Sequence, residues 1–313
     1  MREKLNAALG YIFVISGAAC WGVTGLFVQQ LYSYDFSPWQ VVAARLTLST
    51  LLLLIVMLIF AREYLKVRWK DFPYLFALGA LSIALFNWFY FAVMDQASIA
   101  IAVVFVYTSP VFAALIAKFL YNEKLTLQKN IAIVLTILGC SLAIGLIPAG
   151  ATPIAFTTVL LGLAAGLFAA SYSLLGKFVS GLYHPLTITF YALLSGSIFS
   201  LPASGIWEHR ALLLGGSIWV PLLGISIIST IFAYVLFTLG LKYVESSKAA
   251  ILSSVELVIS VIISVYVLNE ILTLYQAAGF VLVIISIVLT VISFRRRIKK
   301  KYPGKEYSWS REY

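Results

Sequence analysis

The chain has 313 residues, of which 62% are hydrophobic and only 11% charged, and its mean hydropathy is +1.01. Soluble domains carry roughly 25% charged residues, so a water-facing exterior of ordinary polarity is excluded and most of the surface must meet lipid. The formal net charge of +10 then reads as a topology signal rather than a nucleic-acid footprint, and Cys20 and Cys140, far apart in apolar segments, give no disulfide framework.

The N-terminal run MREKLNAALGYIFVISGAACWGVTGLFVQQL continues past Cys20 and is longer than a secretory signal core. It predicts a first membrane helix over 9–31. A bilayer core of about 30 Å needs about 20 helical residues. On that measure further spans follow at 38–60, 73–93, 98–118, 128–147, 156–178, 185–203, 218–241, 247–267 and 274–294. With the N-terminus on the inside, all but Arg45 and Arg210 of the 22 basic residues fall on the inner side, the asymmetry expected of cytoplasmic loops. Lys177, His184 and Asp95 are expected to be solvated anchors or loop residues near the membrane interfaces.

An internal repeat is visible at an offset of 147, which pairs NEKLT (122–126) with NEILT (269–273), Pro38 with Pro185, Ala102 with Ala249 and Leu127 with Leu274. The joint is IPAGATP at 147–153, giving units at 1–148 and 149–294 and a basic cytoplasmic tail at 295–313. Five helices per unit is an odd number, so the two units must enter the membrane in opposite senses. The expected fold is an all-α integral membrane protein of ten transmembrane helices as two inverted five-helix repeats. Many secondary transporters are built this way, with substrate bound near the midplane between repeats.

The chain resembles the EamA family of the drug/metabolite transporter superfamily. The resemblance rests on Trp21-Gly22, SPWQVVAAR ending at Arg45, TSPVF at 108–112, NEKLT, SVELV and NEILTLYQAAG, in that order across roughly residues 10–294. It implies a central cavity between the halves and movement of small metabolites, often export of amino acids. It also implies that the membrane glutamate serves members of differing substrate, as an architectural or gating residue. Two departures stand out: Asn122 and Asn269 replace the usual Gly before the Glu, and Leu257 replaces the usual Pro after Glu256, which predicts a less kinked ninth helix.

Glu256 lies about 13 Å deep by helical rise. A charge near the bilayer centre costs roughly 2.5–3.5 kcal/mol on insertion scales, so Glu256 is expected to face a cavity, carry substrate or a proton, or accept hydrogen bonds from a neighbouring helix. Arg45, about 10 Å deep from the other side, could hold a substrate carboxylate, reach Glu256, or snorkel outward. YTSPVF is the repeat counterpart of SSVELV. Pro110 breaks the backbone ladder there, which makes Tyr107, Thr108 and Ser109 candidate cavity wall. Trp21, Trp88, Tyr90, Tyr172 and Tyr234 are mid-span aromatics that could stack on substrate or simply pack. Asn87 and Tyr234, partners at the 147 offset, and Trp21 complete the candidate cavity lining, and GLAAG at 162–166 predicts a close helix contact.

No GxxxxGK[ST] motor motif and no metal-ligand spacing occur in the sequence. The expectation is therefore neither an enzyme nor a cofactor or metal protein, with partners limited to a small-molecule substrate, the lipid bilayer and protons as a candidate coupling ion, and no nucleic acid. The expected function is a secondary transporter exporting amino acids or related compounds by alternating access, multi-pass in a bacterial plasma membrane with both termini cytoplasmic. A carrier of sugars, phosphorylated metabolites or cationic drugs stays open beside it, as does a non-transporting membrane enzyme or lipid-handling scaffold.

Overall fold

A computed structural model describes residues 2–96, 102, 105–143, 155–209, 216–267 and 273–301. The joint at 147–153, Arg210, residues 269–272 and the tail from 302 lie outside the described residues. Among the described residues there are helices and no strands. They are α1 (Arg2–Gly22), α2 (Thr24–Tyr32), α3 (Pro38–Phe60), α4 (Phe72–Gly79), α5 (Phe86–Gln96), α6 (Ser109–Leu120), α7 (Leu127–Ala143), α8 (Phe156–Ser180), α9 (Pro185–Ser204), α10 (Trp219–Ser226), α11 (Ala233–Leu241), α12 (Ser246–Leu252), α13 (Val255–Val267) and α14 (Leu274–Lys301). Among the described residues, six segments are long and apolar enough to cross a membrane: Ala8–Tyr32, Trp39–Phe60, Phe72–Tyr90, Phe156–Ser180, Pro185–Ser204 and Trp219–Leu241. Shorter apolar helices run over Ser109–Leu120, Leu127–Leu142 and Leu274–Thr290.

Lipid as the surrounding medium follows from α3. Its inner stripe of Leu46, Ser49, Leu53 and Met57 is buried, yet its outer stripe is equally apolar, with Leu51, Ile55 and Ile59 at 52%, 54% and 64% exposure. A helix apolar on all sides with one face exposed belongs in a membrane.

Contacts place the basic loops at one end of the bundle. Tyr183 Oη reaches Asp71, Tyr64 stacks on His184, Lys177 reaches Val244 O, and Gly10 packs against Tyr243. Gln128 donates to Leu289 O, so the last helix also ends there. Leu31, Phe36, Ile218 and Leu222 form a separate cluster at the other end.

Several predicted spans are interrupted. The first helix breaks at Val23, where Thr24 Oγ1 donates to Trp21 O (2.5 Å). The fourth turns at Tyr107–Thr108 and the ninth at Ser253–Ser254. A ninth helix less kinked for want of proline is thus not what forms; the tandem serines break it instead. Ser253 Oγ donates to Ala250 O (2.8 Å), the side-chain back-bonding that bends helices. Two further irregularities are π-helices at Ala80–Leu85 and Ile227–Phe232, separated by the same 147 residues. Such turns are rare and concentrate at functional sites. Asn87 and Tyr234 each lie two residues beyond one of them.

The interface residues do more structural work than solvated anchors. Lys177 is half-buried and its ammonium donates to Leu241 O, Lys242 O and Val244 O, capping the end of α11. His184 caps α9 by accepting from Leu186 N–H through Nδ1 (3.3 Å). Burial and the nearby Lys242 hold its pKa below the ordinary histidine value, which keeps that nitrogen an acceptor. Thr126 and Thr273, the final residues of the two NExLT motifs, accept from Lys129 N and Gln276 N at 3.3 Å each, and so cap α7 and α14 alike.

Close crossings rest on small residues. The GLAAG stretch packs on the fourth segment, where a Cβ on Gly166 would fall 2.1 Å from Thr108 Oγ1. At Gly79 a Cβ would fall 2.2 Å from Ala192 O, a backbone atom that cannot swing away. Gly79→Val is therefore expected to destabilise by about 1–3 kcal/mol or more. Gly25→Ala, with nothing within 4 Å of its Cβ, is expected to leave the thermal midpoint in detergent near wild type.

Candidate functional site

Glu256 lies in the first turn of α13, immediately after the Ser253–Ser254 break. Its own N–H donates to Ser253 O (2.9 Å). A helix N-terminus carries partial positive charge, and a carboxylate there gains about 0.3–1 kcal/mol, more when partly buried. The break therefore offsets part of the cost of holding an acid among apolar neighbours. The first helix crosses at this point, since a Cβ on Gly22 would fall 2.8 Å from Glu256 O.

Around the glutamate gather residues from both halves of the chain. Tyr107 is buried with Cys140, Leu257 and Val283 in one cluster. Tyr90, Tyr107, Tyr234 and Cys140 all lie within electrostatic range of Glu256. Trp21 meets Tyr234 edge-on at 5.2 Å and Phe237 at 4.9 Å, and Tyr172 lies 5.0 Å from Tyr234. The Tyr172 hydroxyl is held by Thr238 Oγ1 at 2.9 Å.

Arg45 acts electrostatically on both Glu256 and Tyr234. It nonetheless forms no ion pair within 4.0 Å among the described residues. Its backbone is pinned, with the carbonyl accepting from Ser49 Oγ (2.5 Å) and Ser226 Oγ (3.5 Å). Its Nε is buried without a hydrogen-bond partner, and so is Ser254 Oγ, two residues before the glutamate. Leaving such atoms unsatisfied costs about 1–3 kcal/mol each, so the site is chemically suited to a polar guest.

Of the candidate residues, Glu256, Arg45, Tyr107 and Tyr234 come together, with Trp21 joined through Tyr234. Ser109 and Pro110 are buried at the start of α6. Thr108 and Asn87 turn their polar atoms onto their own segments: Thr108 Oγ1 donates to Phe105 O (2.6 Å) and Asn87 Nδ2 to Ile83 O (2.6 Å). Trp88 is 44% exposed, on the outer face. Sequence reasoning passed over Ser254, Cys140 and Phe237. The repeat offset carried a signal for two of them, because it aligns Ser254 with Tyr107 and Phe237 with Tyr90. Among the described residues, no group of three His, Cys, Asp or Glu could hold a metal ion.

The sequence profile of the EamA-like transporter family matches the chain twice, over residues 8–145 and 156–292. An "Uncharacterized transporter" of Archaeoglobus fulgidus is 27% identical over 274 residues, 87% of this chain and 94% of that one. "Uncharacterized transporter YwfM" of Bacillus subtilis is 28% identical over 296 residues, covering 92% and 95%. A solved crystal structure superposes with a TM-score of 0.75 over 92% of this chain and 98% of its own, at 17% identity, which bears on the fold alone.

Proposed function

The chain belongs to the EamA-like transporter family of the drug/metabolite transporter superfamily, and from that premise we propose that it exports amino acids or related zwitterionic metabolites by alternating access. The observation that carries the substrate reading is the arrangement of Arg45 and Glu256, opposite charges close enough to act on each other yet not paired. A zwitterion is the guest whose two poles match theirs. Its ammonium meets Glu256, and its carboxylate takes the planar fork of Arg45. Tyr107, Tyr234 and Trp21 wall the site, and protons are the coupling ion that Glu256 would exchange.

In this reading the chain makes ten membrane helices as two inverted repeats, 1–148 and 149–294, with the basic end and both termini in the cytoplasm. The halves hold matched residues in unlike states. Ser82 Oγ bonds Ser171 Oγ at 2.5 Å. Their counterparts at the 147 offset, Ser229 and Thr24, make no such bond: Ser229 Oγ is buried and unpartnered, although Thr24 donates to Trp21 O just as Ser171 donates to Phe168 O (2.6 Å). Repeats that trade conformations between inward-open and outward-open states require such an asymmetry in any one state.

The test is a thermal-shift screen followed by flux in proteoliposomes. A ligand at hundredfold excess over its Kd stabilises the folded state by about 2.7 kcal/mol. Zwitterionic amino acids are expected to raise the midpoint and to move under an imposed pH gradient. The aromatic cluster beside a carboxylate also suits an organic cation. Stabilisation by amines lacking a carboxylate, with none by amino acids, would select that reading, and no flux of any solute in a broad panel would sink the carrier assignment.

A further inference from the structure

Away from the central site, the basic end holds a dense ionic cluster that joins the two halves. Glu123 follows α6, in the NEKLT motif. Asn122 before it takes a left-handed backbone (φ 51°), and Glu123 N–H closes on Ala117 O (3.2 Å). This is a helix-ending turn for which Gly or Asn is suited, so the departure from the family's glycine keeps the turn. The turn aims the carboxylate across the bundle at α12. Its Oε1 accepts from Ser246 N (3.0 Å) and Ser246 Oγ (2.9 Å). Its Oε2 accepts from Ser247 Oγ and from Lys129 Nζ (2.9 Å). Lys129 also lies 3.1 Å from Glu245, which in turn lies 3.4 Å from Lys248. The Lys129, Glu123 and Lys248 side chains are only 4%, 8% and 7% exposed.

Buried, multiply bonded charges of this kind are costly to separate. Removing one partner of a buried pair strands the other. The offset of 147 shows how one-sided the cluster is. Glu123 corresponds to Glu270, but Lys129 corresponds to Gln276, Glu245 to Ser98, Ser246 to Ile99, Ser247 to Ala100 and Lys248 to Ile101. The equivalent set of positions, drawn from both repeats, thus keeps one carboxylate, Glu270, and lacks the other together with both lysines and both serines. A cluster needed only to support the repeated fold would recur in both halves.

We propose that Glu123, Lys129, Glu245 and Lys248 form a latch that holds the basic-end mouth shut and sets outward-open as the resting state. The inference rests on the alternating-access reading above. Opening at the basic end requires α12 to leave α6, and Glu123 bridges these two elements. Behind the latch, Ala250 packs against Ala113 and Ala170 and becomes accessible only when they part.

The experiment uses full-length protein in nanodiscs, with Cys20 and Cys140 replaced and Ala250→Cys as reporter, labelled by a membrane-impermeant maleimide. Glu123→Gln and Lys129→Met are each expected to speed labelling about tenfold, one charge-assisted hydrogen bond's worth. The double variant is expected to add little, because both changes break one latch. The Ser246→Ala/Ser247→Ala variant leaves every charge in place and serves if the charge variants misfold; faster labelling is expected there too. Unchanged labelling in monodisperse, folded variants overturns the latch. Labelling needs no substrate, so failure of the transport reading would appear separately, as absent flux while the reporter still responds.

Discussion

Glu256→Gln is expected to reduce pH-gradient-driven flux to the level of empty vesicles while substrate exchange at saturating concentration persists. Glutamine matches the glutamate in volume and can still hydrogen-bond, and the close crossing at Gly22, made by the Glu256 backbone, is kept. What it removes is the exchangeable proton and the negative charge. Without the proton, the gradient has nothing at this position to act on. Without the charge, a substrate ammonium loses one charge-assisted hydrogen bond, about 1.5–3 kcal/mol, and the KM for exchange is expected to rise about tenfold or more. Proteoliposome flux with and without a pH gradient, measured beside counterflow of labelled substrate, separates the two effects. A variant whose pH dependence matched wild type would remove Glu256 from coupling and leave it a structural acid at a helix break.

Much of this site could be read from the chain because it depends on chemical cost. An acid and a guanidinium inside apolar runs are conspicuous at any alignment, and the constant offset of 147 showed which segments would resemble each other. The π-helices at Ala80–Leu85 and Ile227–Phe232 obey that offset although no residue pattern announced them. What stayed hidden was backbone irregularity and lateral placement. A proline such as Pro110 announces a kink in the sequence, whereas the Ser253–Ser254 pair does not; there the Ser253 hydroxyl achieves a similar break by competing for the Ala250 carbonyl. Lys177 looked like an interface anchor because depth alone was legible, whereas its role depends on α11 ending beside it. For Thr108 and Asn87 depth alone was legible, whereas the direction of each polar atom is decided by a carbonyl on its own segment.

Symmetry also sharpens what the two halves do differently. At the 147 offset Glu256 faces Ser109 and Arg45 faces Ala192. Gly79 touches Ala192 O much as Ser226 touches Arg45 O, so the backbone crossings correspond while the charges do not. The scaffold is duplicated, and each half contributes one charge of opposite sign. A substrate with two poles would therefore bind in one orientation, a property that a fully symmetric carrier could not have.

Arg45→Met is the variant that isolates the second pole. Methionine keeps much of the apolar stem and removes the guanidinium, including its buried, unpartnered Nε. For an amino-acid substrate the loss of a charge-assisted contact of about 1.5–3 kcal/mol corresponds to roughly 10–100-fold weaker binding. A decarboxylated amine of the same side chain is expected to bind the variant at least as well as wild type, since a neighbouring positive charge has gone. Arg45→Lys is expected to recover little, because an ammonium lacks the two-pronged geometry and seats its charge nearer the helix. Thermal shift against matched amino acid and amine pairs reads these differences directly. Equal losses for both members of a pair would mean that Arg45 holds the protein rather than the carboxylate, and the substrate would then be defined by Glu256 and its aromatic wall.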